Sequence, residues 1–200
     1  SVKPSVFPVA LLEAADAITM IREHAAEWHV DPDAIAVIGF SAGGHLAANL
    51  ATSTSDDVLV AHGYDPDAVR PNGLMLAYPV ITSGPLAHRG SFDSLLGERR
   101  NDSQALESVS IERHIDAKTP PVFAWHTVPD ETVPYENTLM LIDACKKAGV
   151  SIEAHLFPQG GHGLSLGTAE TAWQGVNGIE PSIQIWPQLA VSWMRRTFAR

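Results

Sequence analysis

Residues 35–48, Ile35-Ala36-Val37-Ile38-Gly39-Phe40-Ser41-Ala42-Gly43-Gly44-His45-Leu46-Ala47-Ala48, decide how this chain is read. The short β-branched run Ile35 to Ile38 closes at Gly39, and Gly44 to Thr52 is rich in alanine and leucine, so the order is strand, sharp turn, helix. An apolar run without alternation predicts a strand buried on both faces. At the turn stands Gly39-Phe40-Ser41-Ala42-Gly43, the pattern G-x-S-x-G. A serine pushed out of a sheet at such a junction takes a strained backbone conformation, and side chains two residues to either side are expected to collide across the turn. The amides that follow, Ala42 first, converge at a helix N-terminus and suit an oxyanion. Read as a mere turn, the pentapeptide would only connect two elements, and its strand-to-helix context argues against that. A dinucleotide loop is excluded, because Gly39, Gly43 and Gly44 do not form G-x-G-x-x-G and the chain has no Walker lysine, so no cofactor is expected.

Upstream, Leu11, Ala14, Ala15, Ile18, Ile21, Ala25 and Trp28 recur at helical spacing and predict one amphipathic helix that ends before Asp31-Pro32. Downstream, Leu74 to Tyr78 and Val122 to Trp125 read as buried strands, the second following Thr119-Pro120-Pro121. Tyr135 to Ala148 reads as a helix with Leu139, Ile142 and Cys145 on its buried side and a stop at Gly149. Ile152, Ala154 and Leu156 alternate with Glu153 and His155 as an edge strand does, and Trp186, Leu189, Ala190, Trp193 and Met194 mark a final helix. Strands alternating with helices predict an α/β protein with a mainly parallel sheet covered on both faces. Ser83 to Lys118 and Ser165 to Ile185 break the pattern and are expected to be loops with short helices that wall a pocket.

With 23 acidic and 13 basic residues the net charge is −10, and no run of Lys or Arg gathers the cations into a patch. Nucleic acid and anionic membranes are therefore not expected as partners. A length of 200 residues with 45% hydrophobic and 18% charged residues fits one packed domain rather than a disordered chain. The apolar stretches are too short to span a bilayer, and Ser1 to Ala10 lacks the order of a signal peptide. The single cysteine, Cys145, excludes an internal disulfide and a thiolate zinc site, and leaves the compartment undecided, with a cytoplasmic setting preferred to a secreted one. His155, His162, Asp65 and Asp67 do not make metal-ligand spacing, so no metal is expected.

A serine hydroxyl needs a base, and the base needs an orienting group. In the order Ser, acid, His, the candidates are Asp130, in the loop after the strand Val122 to Trp125, and His162, in Gly160-Gly161-His162-Gly163 just past Ile152 to Phe157. Both stand at carboxyl ends of strands, on the same rim as Ser41. Glu131 is the rival acid, and Asp130 could instead cap a helix starting near Pro134. His45 and His126 read as packing or supporting groups.

These residues resemble a known family. Gly39 to Ala47 is similar to the nucleophile elbow of the small α/β-hydrolase esterases that include acetyl-xylan and other carbohydrate esterases. Asp31 to Val37, Tyr78-Pro79-Val80, Leu95-Leu96-Gly97, Pro120-Pro121 before Val122 to His126, Asp130 to Pro134 and Gly161-His162-Gly163 follow in the same order. The resemblance implies hydrolysis of small acyl esters, acetyl groups on sugars among them, through a Ser41, Asp130 and His162 triad with Ala42 as an oxyanion donor and no cofactor. It also implies about four further strands and a His-Gly-Gly-type oxyanion loop ahead of the first helix, which this sequence lacks. The chain is accordingly expected to be the C-terminal two-thirds of such a domain, with the Ile35 to Ile38 strand as an edge that pairs with a missing N-terminal segment or with a second copy. Two alternatives stay open, an oligopeptidase-type serine peptidase domain and a non-catalytic binding module. Trp173 and Trp186 are candidates to stack on a sugar ring, although both read more readily as core residues.

Overall fold

The computed structural model describes residues 6–173 and 177–199. Four strands, β1 (Ala36–Phe40), β2 (Gly73–Ala77), β3 (Val122–Thr127) and β4 (Ile152–Phe157), form one parallel sheet in the order β1-β2-β3-β4. Parallel neighbours need crossovers, and helices supply them. The helices are α1 (Val9–Glu23), α2 (Ala25–Trp28), α3 (Ala42–Ala51), α4 (Asp56–Ala61), α5 (Pro66–Val69), α6 (Arg89–Leu96), α7 (Ser103–Ser108), α8 (Glu136–Ala148) and α9 (Trp186–Thr197).

Alternate residues of the two central strands serve two cores, as the two-residue period of a strand requires. Leu74, Leu76, Val122 and Ala124 face α3 and α8, meeting Ala47, Ala48, Ala51, Leu141 and Cys145. Met75, Ala77, Phe123 and Trp125 face α9, meeting Trp186, Ala190 and Trp193. Every residue of β2 and β3 is buried. The expected α/β sheet with helices on both faces is present. A third cluster packs Leu11, Ala15 and Ile18 of α1 behind α3 at Leu50. The stretch Ser83 to Lys118 folds into α6, α7 and short 3-10 turns around Phe92 and Val109. In Ser165 to Ile185 Trp173 and Asn177 form an antiparallel bridge ahead of a 3-10 turn at Pro181–Ile183, and residues 174–176 lie outside the described residues, as do Ser1 to Ser5 of the segment read for a leader.

Four details differ from the sequence reading. Among the described residues β1 is the sheet edge that the resemblance implies, but it is not buried on both faces, and Ile38 is 42% exposed. The first helix is broken at His24, where α1 ends and α2 begins, and Trp28 lies 45% exposed, stacked on the His24 ring instead of in the core. On α8 the buried side carries Asn137, Thr138, Leu141 and Cys145, while Leu139 is exposed. The polar pair is buried because each has a use: Asn137 Oδ1 accepts the amides of Ile81 and Thr82, and Thr138 meets His126. Trp186 is a core residue, wedged against Phe40 and Trp125 with its indole N–H on the Ser165 carbonyl, so it has no free face for a sugar.

Candidate active site

Ser41 follows β1 directly and has φ 54° and ψ −120°, a conformation that side chains seldom adopt. Its backbone is held on both sides. The Ser41 N–H donates to the Ala77 carbonyl (3.0 Å), and the Ser41 carbonyl accepts the amides of Gly44 (3.0 Å), His45 (3.2 Å) and Val80 (3.2 Å). These bonds tie the start of α3 to the exit of β2 and fix the direction of the hydroxyl. The glycines explain how the turn closes so tightly, though not as expected from the motif. A Cβ on Gly39 would lie 2.3 Å from the Gly43 carbonyl oxygen, and one on Gly44 would lie 3.0 Å from Pro79 Cβ. A Cβ on Gly43 would meet nothing within 4 Å, so of the two motif glycines only Gly39 is sterically required.

The three distant residues meet. Because the sheet is parallel, the loops after β1, β3 and β4 open on one rim. Ser41 Oγ lies 2.7 Å from His162 Nε2, and His162 Nδ1 lies 2.7 Å from Asp130 Oδ2. A carboxylate can only accept, so Nδ1 carries the proton and Nε2 is left to accept from the Ser41 hydroxyl. The His162 loop turns through positive φ at Gly160 (102°) and Gly163 (78°), and the Thr127 hydroxyl at the end of β3 donates to the Gly161 carbonyl at 3.1 Å.

Asp130, not Glu131, is the acid in reach: Asp130 is 5% exposed, whereas Glu131 points to solvent. It caps a local turn instead of a helix, with Oδ1 accepting the amides of Thr132 and Val133 at 2.9 Å each. Oδ2 accepts from His162 and, at 3.2 Å, from His126 Nε2. Burial alone would push this carboxyl up. The hydrogen bonds from His126, His162 and the Val133 amide outweigh burial and hold it well below the usual carboxylate range.

Two contacts lie outside the sequence-derived set. The Tyr78 ring stands edge-on to His162, and its hydroxyl accepts the Ser165 amide at 3.1 Å. His126, read as a supporting group, is wholly buried and touches the acid itself. The only sequence cue for it is its place four residues ahead of Asp130 at the end of a strand. His45, one turn into α3, donates from Nε2 to the Val109 carbonyl (2.8 Å) while Nδ1 accepts from the Asn49 amide (2.9 Å), which binds α3 to the segment after α7.

Ala42 is exposed at the N-terminus of α3, where helix amides have no intrahelical partner. A cavity of about 290 Å³, lined by Phe7, Leu11, Ala42, Gly43, Leu46 and Leu95 among others, opens beside it and is mostly apolar. A larger polar cleft lies at Asn72, Pro120 and Pro121, which precede β2 and β3, and so belongs to the opposite rim. Among the described residues no group of three His, Cys, Asp or Glu side chains is placed to hold a metal ion: Asp65 caps α5 and His155 pairs with Glu153. Trp173 is 43% exposed beside Gly178.

Comparison with known proteins gives a consistent picture. Residues 1–144 match the family model described as BD-FAE. The chain is 34% identical over 82% of its length to endo-1,4-beta-xylanase B of Butyrivibrio fibrisolvens, covering 26% of that protein. It is 30% identical over 74% of its length to an acetylxylan esterase of Xylanibacter ruminicola, covering 30% of it. The chain thus spans between a quarter and a third of these curated relatives. Among solved structures, an acetyl ester-xyloside bifunctional hydrolase from Caldicellulosiruptor lactoaceticus superposes with a TM-score of 0.81 at 36% identity, over 97% of this chain and 68% of that one. A carboxylesterase from Lactobacillus plantarum does so with a TM-score of 0.81 at 28% identity, over 98% and 70%. The parallel sheet with its helices is therefore the α/β-hydrolase fold of esterases.

Proposed function

The chain belongs to the BD-FAE family, and on that premise we propose that it is a serine hydrolase of carboxylic esters, acting on acetyl groups carried by sugars. The observation that carries the reading is the unbroken run of 2.7 Å hydrogen bonds from Ser41 through His162 to Asp130. The acetylated-sugar substrate rests on the names of the relatives, an acetylxylan esterase and an acetyl ester-xyloside hydrolase. Those names also favour an ester over the peptide bond of the peptidase alternative.

In this reading the Ser41 hydroxyl gives its proton to His162 Nε2 as Oγ attacks the ester carbonyl. The carbonyl oxygen becomes an oxyanion and accepts from the Ala42 amide, whose helix N-terminus favours negative charge. Asp130, anionic and buried, keeps the proton on Nδ1 and stabilises the imidazolium. As the tetrahedral intermediate collapses, Nε2–H protonates the departing alcohol and leaves an acyl group on Ser41. A water then gives a proton to Nε2 as it attacks the acyl carbon, and when the C–Oγ bond breaks Nε2–H returns that proton to Ser41 Oγ and the acid is released. No cofactor enters any step.

The test is turnover of p-nitrophenyl acetate and release of acetate from acetylated xylo-oligosaccharides, together with stoichiometric labelling by an organophosphonate. Ser41→Ala is expected to abolish labelling and to lower kcat by about 10⁴-fold or more. A protein that remains folded yet is neither labelled at Ser41 nor active on any acetyl ester would overturn the proposal and favour the non-catalytic alternative.

A further inference from the structure

Asp130 lies beneath two imidazoles. His162 takes Oδ2 at 2.7 Å, and His126, with no exposed surface, reaches the same oxygen at 3.2 Å. His126 Nε2 also lies 2.9 Å from the Val133 carbonyl, and its Nδ1 lies 2.8 Å from the Thr138 hydroxyl. Both neighbours of Nε2 are acceptors, so Nε2 carries a proton shared between them, and the Thr138 hydroxyl takes up Nδ1 on the far side of the ring. Val133 closes the figure, because its amide donates to Asp130 Oδ1 while its carbonyl accepts from His126. A histidine needed only to satisfy the Val133 carbonyl would have no reason to reach the oxygen that His162 uses.

We propose that His126 is a positioning residue for the reaction assigned above, holding the Asp130 carboxylate in the orientation in which Oδ2 meets His162; the inference rests on that reading of Ser41, His162 and Asp130. Three groups face the carboxylate from the packed elements: His126 from β3, His162 from the loop after β4, and Tyr78 from the end of β2, whose ring lies against His162. The Thr138 hydroxyl of α8 backs His126. A second donor on Oδ2 does two things. It stops the carboxylate from rotating away from His162, and it draws off part of the negative charge, so that the proton gained from Ser41 is held firmly but not too firmly.

His126→Gln and His126→Asn separate this role from packing. Glutamine places an N–H near the position of Nε2 and can still reach Asp130 and Val133, whereas asparagine reaches only the position of Nδ1. In His126→Asn, kcat for p-nitrophenyl acetate is expected to fall about 10- to 100-fold with little change in KM, the loss of one hydrogen bond to a charged group. The acidic limb of kcat/KM should move to higher pH, because a carboxylate with one donor fewer holds the imidazolium proton longer. His126→Gln should recover most of the turnover and return the limb. The low-field proton resonance of the His162 Nδ1–H bond gives a readout that does not depend on turnover: it should be displaced in the asparagine variant and restored in the glutamine one. Organophosphonate labelling of Ser41 in the unaltered protein tests the parent reading separately. A folded His126→Asn protein with unaltered kcat, pH profile and resonance would refute the inference, and so would equal loss in both variants. If His126→Asn does not fold, Thr138→Val, which frees the far side of the ring, should shift the acidic limb the same way to a smaller extent; an unmoved limb there also refutes it.

Discussion

The ring of Tyr78 meets that of His162 with centroids 4.9 Å apart and planes at 69°, while the Trp125 ring stands 5.0 Å away at 87° and that of Phe40 6.0 Å away at 56°. Tyr78 has φ 39° just past β2, so the chain accepts an unfavourable backbone to put an aromatic wall beside His162. Burial raises the phenol pKa; the bond from the Ser165 amide opposes this, and the Asp130 charge adds to it, so the hydroxyl remains neutral. Tyr78→Phe keeps the wall and loses only the acceptor for Ser165, so kcat should change by less than about 5-fold while stability falls by about 1 kcal/mol. Tyr78→Ala removes the wall, and kcat should fall more than about 10-fold with a loss of about 3 kcal/mol or more in stability. Steady-state kinetics beside urea unfolding of both variants checks this.

Three alanine substitutions at the turn should rank by space. Gly39→Ala puts a Cβ 2.3 Å from the Gly43 carbonyl oxygen and is expected to prevent proper folding, with little soluble protein. Gly44→Ala, 3.0 Å from Pro79, should cost about 1–3 kcal/mol. Gly43→Ala lies in open space within α3 and should be neutral or stabilise by up to about 1 kcal/mol through helix propensity. Thermal unfolding of the series gives the order, and a Gly43→Ala protein less stable than Gly44→Ala would contradict it.

Acid should weaken the fold in two separable stages. His45 takes up a proton near pH 6.5 when unfolded, but burial lowers this to about 4 in the fold, against the opposing pull of the Val109 carbonyl. Between those values the unfolded chain binds more protons, so stability drops as pH falls from about 6.5 to about 4, by about 3 kcal/mol in total. Asp130 acts later. Its carboxyl is depressed, so its contribution is present above the ordinary carboxylate range and is lost only as pH falls through its lower folded value. His45→Gln, which can still donate to Val109, should flatten the first stage and leave the second. Urea unfolding of both proteins at pH 7 and pH 4.5 measures the difference.

β1 pairs only with β2 among the described residues, and Ile38 stands exposed on it. An uncovered apolar edge recruits another strand. The 200-residue chain should therefore elute in gel filtration above its 21.5 kDa mass, and Ile38→Lys should move it toward the monomer without affecting phosphonate labelling.

Much of this is legible in the sequence alone, for a physical reason. Ser41, Asp130 and His162 each follow a strand, and in a parallel sheet all strand ends of one kind share a rim, so sequence order alone brings them together. What stayed hidden depends on register and surroundings. The apolar run at Ile38 reads the same with or without a covering strand, and the periodicity from Leu11 to Trp28 passes through His24, where no Pro or Gly marks the break. On α8, Asn137 and Thr138 look like surface residues until the amides of Ile81 and Thr82 and the ring of His126 are found beneath them. The spare room at Gly43 likewise shows only once the helix axis is known.

With its amide spent on Ala77 and its carbonyl shared by three donors, the main chain of Ser41 cannot yield when a substrate is attached. If Ser41 Oγ carries the acyl group, as proposed, that group can swing only about the side-chain torsions. The choice among alcohols and acids would then fall to the walls, since the serine would offer every substrate the same fixed angle of approach.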